Sequence, residues 1–233
     1  MIVRSADTFR ELMTHVIVFA RRAVIVAALG LSACGTDSSG TAPGSPSAVD
    51  TSARRVVVLG DSLAVSPTAT DNFPTDLQAR ITARALRWTV TNAGVNGDTT
   101  SDGLRRIDPL LTTDVGVLVL ELGANDGLRG VDVATIQRNL QAMIDAARTR
   151  GVRVLLCGME TPPTRGLDYS VAYHFIFPNL AQKNGAPLVP FLLEGVVLSP
   201  EMTGPDGIHP NAAGAQRIAA TVWTYLEPMV SGS

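Results

Sequence analysis

Three side chains of this 233-residue sequence have the types and spacing that acyl transfer requires. Ser62 follows Gly60-Asp61 directly after an apolar run, where a turn can present the hydroxyl. A neutral serine is a poor nucleophile and needs an adjacent base. His209 comes three residues after Asp206 in a predicted loop, so the Asp206 carboxylate can hold the imidazole while Nε2 takes the serine proton. We therefore predict catalytic roles for Ser62, Asp206 and His209, although an isolated Asp-x-x-His pattern is also typical of a capped turn.

Acyl transfer also needs hydrogen-bond donors for the developing oxyanion. Gly97 can offer a backbone N–H at close approach because nothing projects from its Cα. Asn125 can offer its side-chain amide, and the backbone N–H of Ser62 makes a third donor. Each feature alone also fits an ordinary turn. Their occurrence together predicts an oxyanion hole formed by Ser62, Gly97 and Asn125.

The elements that must position these residues alternate between strand and helix patterns. Apolar, β-branched runs predict buried strands at 56–59, 115–122 and 152–157, with weaker strands at 88–91 and 187–189. Apolar spacing predicts helices over 133–150 and 211–229, and one that contains Leu77, Ile81 and Leu86. Such alternation is typical of a doubly wound α/β domain, in which sites lie outside the carboxyl ends of the strands. The predicted catalytic residues all fall in polar, glycine-containing segments at that edge.

Composition excludes several other classes. The formal net charge is −2, which gives no basic footprint for a nucleic acid. The only lysine, Lys183, is not in a Gly-Lys-Ser/Thr phosphate loop, and no G-x-G-x-x-G follows the first strand. Two cysteines and three histidines form no metal-ligand cluster in the sequence, so we expect neither a metal nor a cofactor.

The N-terminal 33 residues are predicted to be a targeting segment. Residues 23–31 form an apolar run after Arg21 and Arg22, too short for a stable membrane span but typical of a signal-peptide core. Leu31-Ser32-Ala33-Cys34 then resembles a bacterial lipobox, which predicts a lipid on Cys34. A plain secretory signal with an incidental Cys34 is the alternative. Translation from Met13 instead of Met1 would give a signal of ordinary length.

Residues 34–53 are predicted to be the anchor cysteine and a flexible tether rich in Gly, Ser, Thr and Pro. Its 18 residues from 35 to 52 have a root-mean-square reach of roughly 20–25 Å. A lipid on Cys34 would hold the domain at 54–230 beside a membrane of the bacterial cell envelope. A disordered leader of a soluble secreted protein is the alternative.

Two further expectations concern residues outside the predicted triad. His174 lies in an apolar helical stretch and Cys157 ends an apolar strand, so both are expected to be structural. The segment 161–177 is long, and it contains Tyr169, Tyr173, Phe175 and Phe177. Some of these aromatics are expected in the core, and those nearest the loop are expected to wall an apolar acyl pocket beside Ser62.

The four polar blocks together resemble those of the GDSL, or SGNH, hydrolase family, in order and spacing over residues 54–230. The blocks are Gly60-Asp61-Ser62-Leu63, Gly97, Gly123-Ala124-Asn125-Asp126 and Asp206-Gly207-Ile208-His209-Pro210. The segments 121–130 and 206–211 are similar to the secreted bacterial branch of arylesterases, lysophospholipases and acyl-CoA thioesterases. The resemblance implies a flavodoxin-like three-layer α/β/α fold with a mostly parallel sheet. It also implies Ser62 as nucleophile, His209 as base oriented by Asp206, and Ser62, Gly97 and Asn125 as the oxyanion hole.

The expected function is hydrolysis of carboxylic esters or thioesters, such as aryl esters, lysophospholipids or acyl thioesters. The expected partners are a small-molecule or lipid ester and, through Cys34, a membrane, with no obligate protein partner. A carbohydrate O-deacetylase of the same family and a non-catalytic envelope-binding lipoprotein are the alternatives. Hydrolysis of p-nitrophenyl esters separates the enzyme from the binding protein.

Overall fold

The computed structural model describes residues 54–232, which form a five-stranded parallel sheet between helices. The strands are β1 (Arg54–Gly60), β2 (Trp88–Gly94), β3 (Val115–Glu121), β4 (Arg153–Cys157) and β5 (Leu188–Val189). Their order in the sheet is β2-β1-β3-β4-β5, and each neighbouring pair is parallel. This is the flavodoxin-like strand order, and it confirms the predicted α/β/α fold.

Helices connect the strands and cover the sheet. They are α1 (Phe73–Ala83), α2 (Thr100–Arg106), α3 (Ala124–Arg129), α4 (Val133–Thr149), α5 (Leu167–His174), α6 (Ile176–Asn184) and α7 (Ala212–Ser231). Helix α1 packs against α7, while α4 packs against α2 and α6. The helical layers therefore enclose the sheet, and the connections leave the carboxyl ends of the strands at one edge.

The apolar runs of the sequence form the core, as predicted. All seven residues of β3 are buried, because a central parallel strand is covered on both faces. In α4 the stripe of Ile136, Leu140, Met143 and Ile144 faces the core. Cys157 at the end of β4 is fully buried, as expected for a small core residue.

The predicted helix around Leu77 and Ile81 is present, but it stops before Leu86. Ala85 takes a left-handed conformation with φ +52°, which ends the helix. The Leu86 N–H then donates to the Ile81 carbonyl at 3.2 Å, the pattern of a Schellman motif. Leu86 packs against the core from beyond the helix end, which explains why its spacing looked helical.

Within residues 54–232, no helix combines the length and apolarity needed to cross a bilayer. The predicted signal segment 1–33 and the anchor and tether at 34–53 lie outside the described residues. Those assignments stay predictions.

Candidate active site

The structure brings the predicted triad together across the whole domain. The Nε2 atom of His209 lies 2.8 Å from the Ser62 Oγ, although the two residues are 147 positions apart. The Nδ1 atom of His209 lies 2.5 Å from the Asp206 Oδ2. With Nδ1 donating its hydrogen to Asp206, Nε2 can accept the Ser62 hydroxyl. This is the geometry that a serine needs to lose its proton as it attacks.

Asp206 is held for this task by its own loop. Its Oδ1 accepts the backbone N–H groups of Ile208 and His209, each at 3.0 Å. The hydrogen bond from the His209 side chain, aided by these backbone donors, lowers the pKa of Asp206 to about 2. Asp206 therefore stays ionised at neutral pH.

Ser62 begins a short 3₁₀ turn, Ser62–Ala64, directly after β1. Asp61 caps this turn, because its Oδ1 accepts the Leu63 N–H at 2.9 Å. The Ser66 hydroxyl donates to the Ser62 carbonyl at 2.7 Å. Ser62 is thus fixed at the sheet edge by the residues on both sides of it.

The expected oxyanion donors lie on neighbouring loops. The Asn125 amide donates to the Asp61 Oδ2 and to the Asp98 carbonyl, both at 3.0 Å. Its position is therefore fixed, and an incoming oxyanion must share a hydrogen with one of these acceptors. Gly97 has φ +79°, and its N–H makes no hydrogen bond to the described part of the chain. The roles of Ser62, Gly97 and Asn125 as donors stay predictions.

Arg106, which the sequence did not single out, ties together the loops that carry these groups. Its Nη1 donates to the Ala93 carbonyl at 2.7 Å and its Nη2 to the Gly60 carbonyl at 2.9 Å. Its Nε lies 2.6 Å from the Asp98 Oδ2. One guanidinium therefore holds the ends of β1 and β2 and the segment after Gly97 in register.

Two buried carboxyl groups lie behind Ser62. The Glu121 Oε2 accepts the Asp61 N–H at 3.1 Å, and a Cβ on Gly60 would meet that oxygen at 2.2 Å. Burial, then the charge of Asp61, raises the pKa of Glu121 well above its usual value. Burial also raises the pKa of Asp61 to about 6, against the lowering effect of its Leu63 and Asn125 hydrogen bonds. A single acid in the apolar run 115–122 was the available signal for this pair.

The aromatic residues of 161–177 divide between the core and the surface, and some of them lie in the core as expected. Tyr173 and Phe177 are fully buried, and the Tyr173 hydroxyl donates to the Gly123 carbonyl at 2.8 Å. Tyr169 is partly buried, and its hydroxyl donates to the Val131 carbonyl at 2.8 Å. The two hydroxyl groups thereby hold the segment after β3 in place. A buried hydroxyl must find its hydrogen-bond partner within the protein, and here the partners are backbone carbonyls of that segment. Tyr173 and Phe177 therefore do not wall an acyl pocket.

Exposed apolar side chains lie instead on the segments that connect strands to the following helices, or on those helices. Within the described residues the large ones are Val95, Leu128, Leu167, Val171, Phe175, Leu198 and Ile208. They lie after β2, β3, β4 and β5 in the chain, and Ile208 adjoins His209. We call this set the apolar rim. An apolar surface beside a polar site is typical of recognition of an apolar ligand.

His174 is a structural residue, as expected, but with a charged partner. Its Nδ1 lies 2.6 Å from the Glu160 Oε1, which joins the end of α5 to the loop after β4. The hydrogen bond to Glu160 raises the pKa of His174, against the opposing effect of burial. The charged pair therefore stabilises the fold at low pH, and this contribution is lost as pH rises through the raised pKa.

Replacing His174 by glutamine should thus cost stability in a pH-dependent way. Glutamine can still hydrogen-bond to Glu160 but carries no charge. We expect a loss of about 1 kcal/mol at pH 5.5 that shrinks by pH 9. Urea unfolding of both proteins at the two pH values measures it. A loss that is equal at both values would show that the charge of His174 contributes nothing.

The described residues contain no group of three or more His, Cys, Asp or Glu side chains placed to hold a metal ion. The contacts between Ser62, His209 and Asp206 on a doubly wound sheet are an arrangement typical of hydrolases.

Comparisons with known proteins agree with that class. Residues 58–217 match the model of the GDSL-like lipase/acylhydrolase family. The chain is 38% identical to the esterase TesA of Pseudomonas aeruginosa over 181 residues, which cover 76% of this chain and 90% of that protein. It is 34% identical to thioesterase 1/protease 1/lysophospholipase L1 of Escherichia coli over 179 residues, which cover 76% and 85%. The crystal structure of TesA superposes with a TM-score of 0.71 at 37% identity, over 76% of this chain and 99% of that one.

The chain belongs to the GDSL-like lipase/acylhydrolase family and is a carboxylic ester hydrolase.

Proposed function

We propose that this protein is a serine esterase that hydrolyses acyl esters or thioesters through an acyl-enzyme formed on Ser62. The observation that carries the proposal is the continuous contact from Ser62 Oγ through His209 to Asp206. The first relatives named above are an esterase and a thioesterase with lysophospholipase activity in its name. Their names support carboxylic ester chemistry.

In the first half-reaction, Ser62 Oγ attacks the carbonyl carbon while His209 Nε2 takes the hydroxyl proton. Asp206 holds the imidazole and balances the charge of the imidazolium. The carbonyl oxygen becomes an oxyanion, which accepts hydrogen bonds from Gly97, Asn125 and the Ser62 N–H. The imidazolium then gives its proton to the leaving alcohol or thiol.

In the second half-reaction, His209 takes a proton from water as the water attacks the acyl-enzyme. The same donors stabilise the second oxyanion. Collapse of this intermediate releases the acid and returns the proton to Ser62. The proton path begins and ends on the same imidazole, so no cofactor enters these steps.

The apolar rim favours an acyl group of medium length. Leu128, Leu167 and Phe175 are between 45% and 65% exposed, so a bound acyl chain would cover apolar surface that now contacts water. Burial of each methylene contributes about 0.8 kcal/mol when complete. An open rim buries only part of each methylene, so the gain should be smaller per carbon than in an enclosed pocket.

We predict that kcat/KM for p-nitrophenyl esters rises about tenfold to a hundredfold from acetate to octanoate. Replacing Leu167 and Phe175 together by serine should flatten this rise. The acetate rate of the variant is the internal control, since acetate is too short to reach the rim. A wild-type profile that peaks at acetate and collapses by butyrate would favour the carbohydrate O-deacetylase.

We propose further that the protein is exported and held at the cell envelope by a lipid on Cys34. The apolar run, the lipobox-like segment and the polar tether support this location. Cys34→Ser should leave ester hydrolysis intact while the protein moves from the detergent to the aqueous phase. The mass of the mature N-terminus checks the acylation directly. A mature chain that begins elsewhere and has no acyl group on Cys34 would make the protein a soluble secreted enzyme.

A further inference from the structure

Charge is divided unevenly between the two edges of the sheet. At the amino edge, where strands begin and the long helices end, there are nine bases and four acids, a net charge of +5. The remaining described residues carry six bases and thirteen acids, a net charge of −7. The nine bases are Arg54, Arg55, Arg80, Arg84, Arg87, Arg148, Arg150, Arg153 and Lys183, and we call this surface the basic edge.

Three of the four acids of the basic edge are engaged with its arginines. Asp114 pairs with Arg55 at 3.1 Å, Asp108 with Arg150 at 3.0 Å, and Glu227 with Arg84 at 2.7 Å. These ion pairs also place α7 and the turn near Asp108 at the same edge. The fourth acid, Asp145, accepts a hydrogen bond from the Gln141 amide at 2.8 Å. The net charge of +5 is what remains when all thirteen charged members are counted.

Two of those members share one aromatic platform. The guanidinium carbons of Arg54 and Arg153 lie 5.8 and 6.0 Å from the centre of the Trp88 ring. Gly116 leaves room for that ring, because a Cβ there would meet it at 2.6 Å. Partial burial, followed by the nearby charge of Arg54, lowers the pKa of Arg153. Two like charges held this close would be stabilised by a bound anion.

A groove of about 350 Å³ opens beside these arginines. Its lining combines apolar residues, among them Ile144, Val152 and Met229, with Arg148 and Arg153. An apolar groove with guanidinium groups along it matches a molecule that has an anionic head and an apolar tail.

The residues before Arg54, which the structure does not describe, also join the domain at this edge. Residue 53 leads directly into Arg54, the first residue of β1. Strand β1 has seven residues, so its start lies about 23 Å from its end at a rise near 3.3 Å per residue. Ser62 follows that far end. Arg54, the first described residue, and Ser62 therefore lie at opposite edges of the sheet.

We propose that the basic edge is a docking surface for anionic phospholipid headgroups, and that docking turns the active site away from the membrane. Guanidinium groups bind phosphate through paired hydrogen bonds, and clustered bases are attracted to anionic lipid surfaces. A lipid on Cys34 would add to this attachment, but the basic edge should bind anionic headgroups without that covalent lipid. The esters accessible to Ser62 are then those outside the supporting bilayer.

The test uses the full chain with Cys34→Ser, so that no covalent lipid contributes. Sedimentation with vesicles of phosphatidylcholine alone gives the baseline set by the N-terminal segment. Vesicles with about one quarter phosphatidylglycerol should bind at least about tenfold more tightly, and 1 M salt should abolish the difference. Equal binding to both kinds of vesicle would overturn the proposal.

Matched variants separate the basic edge from bulk charge. Arg148→Glu/Arg153→Glu should remove the preference for phosphatidylglycerol, and Arg87→Glu/Lys183→Glu is a second pair if the first lowers Tm. The control Arg165→Glu/Arg217→Glu makes the same change in net charge at exposed arginines outside the basic edge. Equal losses in the edge and control variants would overturn the proposal.

Orientation is read from activity in the bound state. Hydrolysis of water-soluble p-nitrophenyl acetate should proceed at the same rate on phosphatidylglycerol vesicles as in solution, because the active site at Ser62 then faces water. A strong loss of this activity on binding would place the apolar rim, not the basic edge, against the bilayer.

Discussion

Ser62→Ala should lower kcat for p-nitrophenyl esters by about 10⁴-fold or more, and His209→Ala should lower it to a similar extent. Ser62 Oγ and His209 Nε2 are 2.8 Å apart and act in one proton transfer. Without the hydroxyl there is no acyl-enzyme, and without the imidazole the hydroxyl keeps its proton. Steady-state kinetics of purified variants with wild-type Tm measures both losses.

The double variant should be little worse than either single variant, because residues that act as a unit are not additive. Ser170→Ala removes a partly exposed hydroxyl on α5, which donates to the Gly166 carbonyl, and is the matched control, with kcat expected unchanged. A fluorophosphonate probe should label the wild-type protein at Ser62 alone. If Ser62→Ala kept more than a few per cent of the activity, another nucleophile would have to be sought.

Local patterns were enough to predict the sheet and to predict that Ser62, Asp206 and His209 lie close together. Asp206 and His209 are three residues apart, and Ser62 follows a strand, so topology alone places them at one edge. The buried runs of β1 and β3 are apolar throughout, which is why their assignment was reliable. These predictions needed only short sequence windows and the rule that parallel strands end together.

The supporting contacts depend on residues far apart in the chain and were not predictable in the same way. Arg106 reaches the Gly60 carbonyl across 46 positions, and Asn125 reaches Asp61 across 64. No periodicity connects such residues. Likewise, Tyr173 and Phe177 look equally suited to a pocket or to the core until the path of α5 and α6 is known. In the folded structure both rings are fully buried, so they belong to the core.

Asn125→Ala should lower kcat by about 10²–10³-fold with little change in KM, the usual effect of losing one oxyanion donor. The Asn125 amide already donates to Asp61 and to the Asp98 carbonyl, so it is held in place before substrate arrives. When charge develops on the carbonyl oxygen, the side chain need not move, and one amide hydrogen is shared between the oxyanion and its present acceptor. Steady-state kinetics with the hexanoate ester measures the split between kcat and KM.

Asn125→Ala should also lower the stability of the fold, and the pH dependence of this loss distinguishes it from the loss of catalysis. The hydrogen bond from Asn125 stabilises the ionised form of Asp61, whose pKa is about 6. That contribution is present above this pKa and is lost as pH falls through it. The difference in Tm between wild type and Asn125→Ala should therefore grow from pH 5 to pH 8, whereas a lost oxyanion donor lowers kcat throughout the active pH range.

Asn139→Ala is the matched control for this prediction. The Asn139 amide donates to the hydroxyls of Thr100 and Ser101 at 3.1 and 2.9 Å, on the same side of the sheet but away from Ser62. Its loss should lower Tm without lowering kcat. If Asn125→Ala instead kept a normal kcat and raised KM, Asn125 would contact the bound substrate and not the transition state. The oxyanion would then depend on the backbone N–H groups of Gly97 and Ser62 alone.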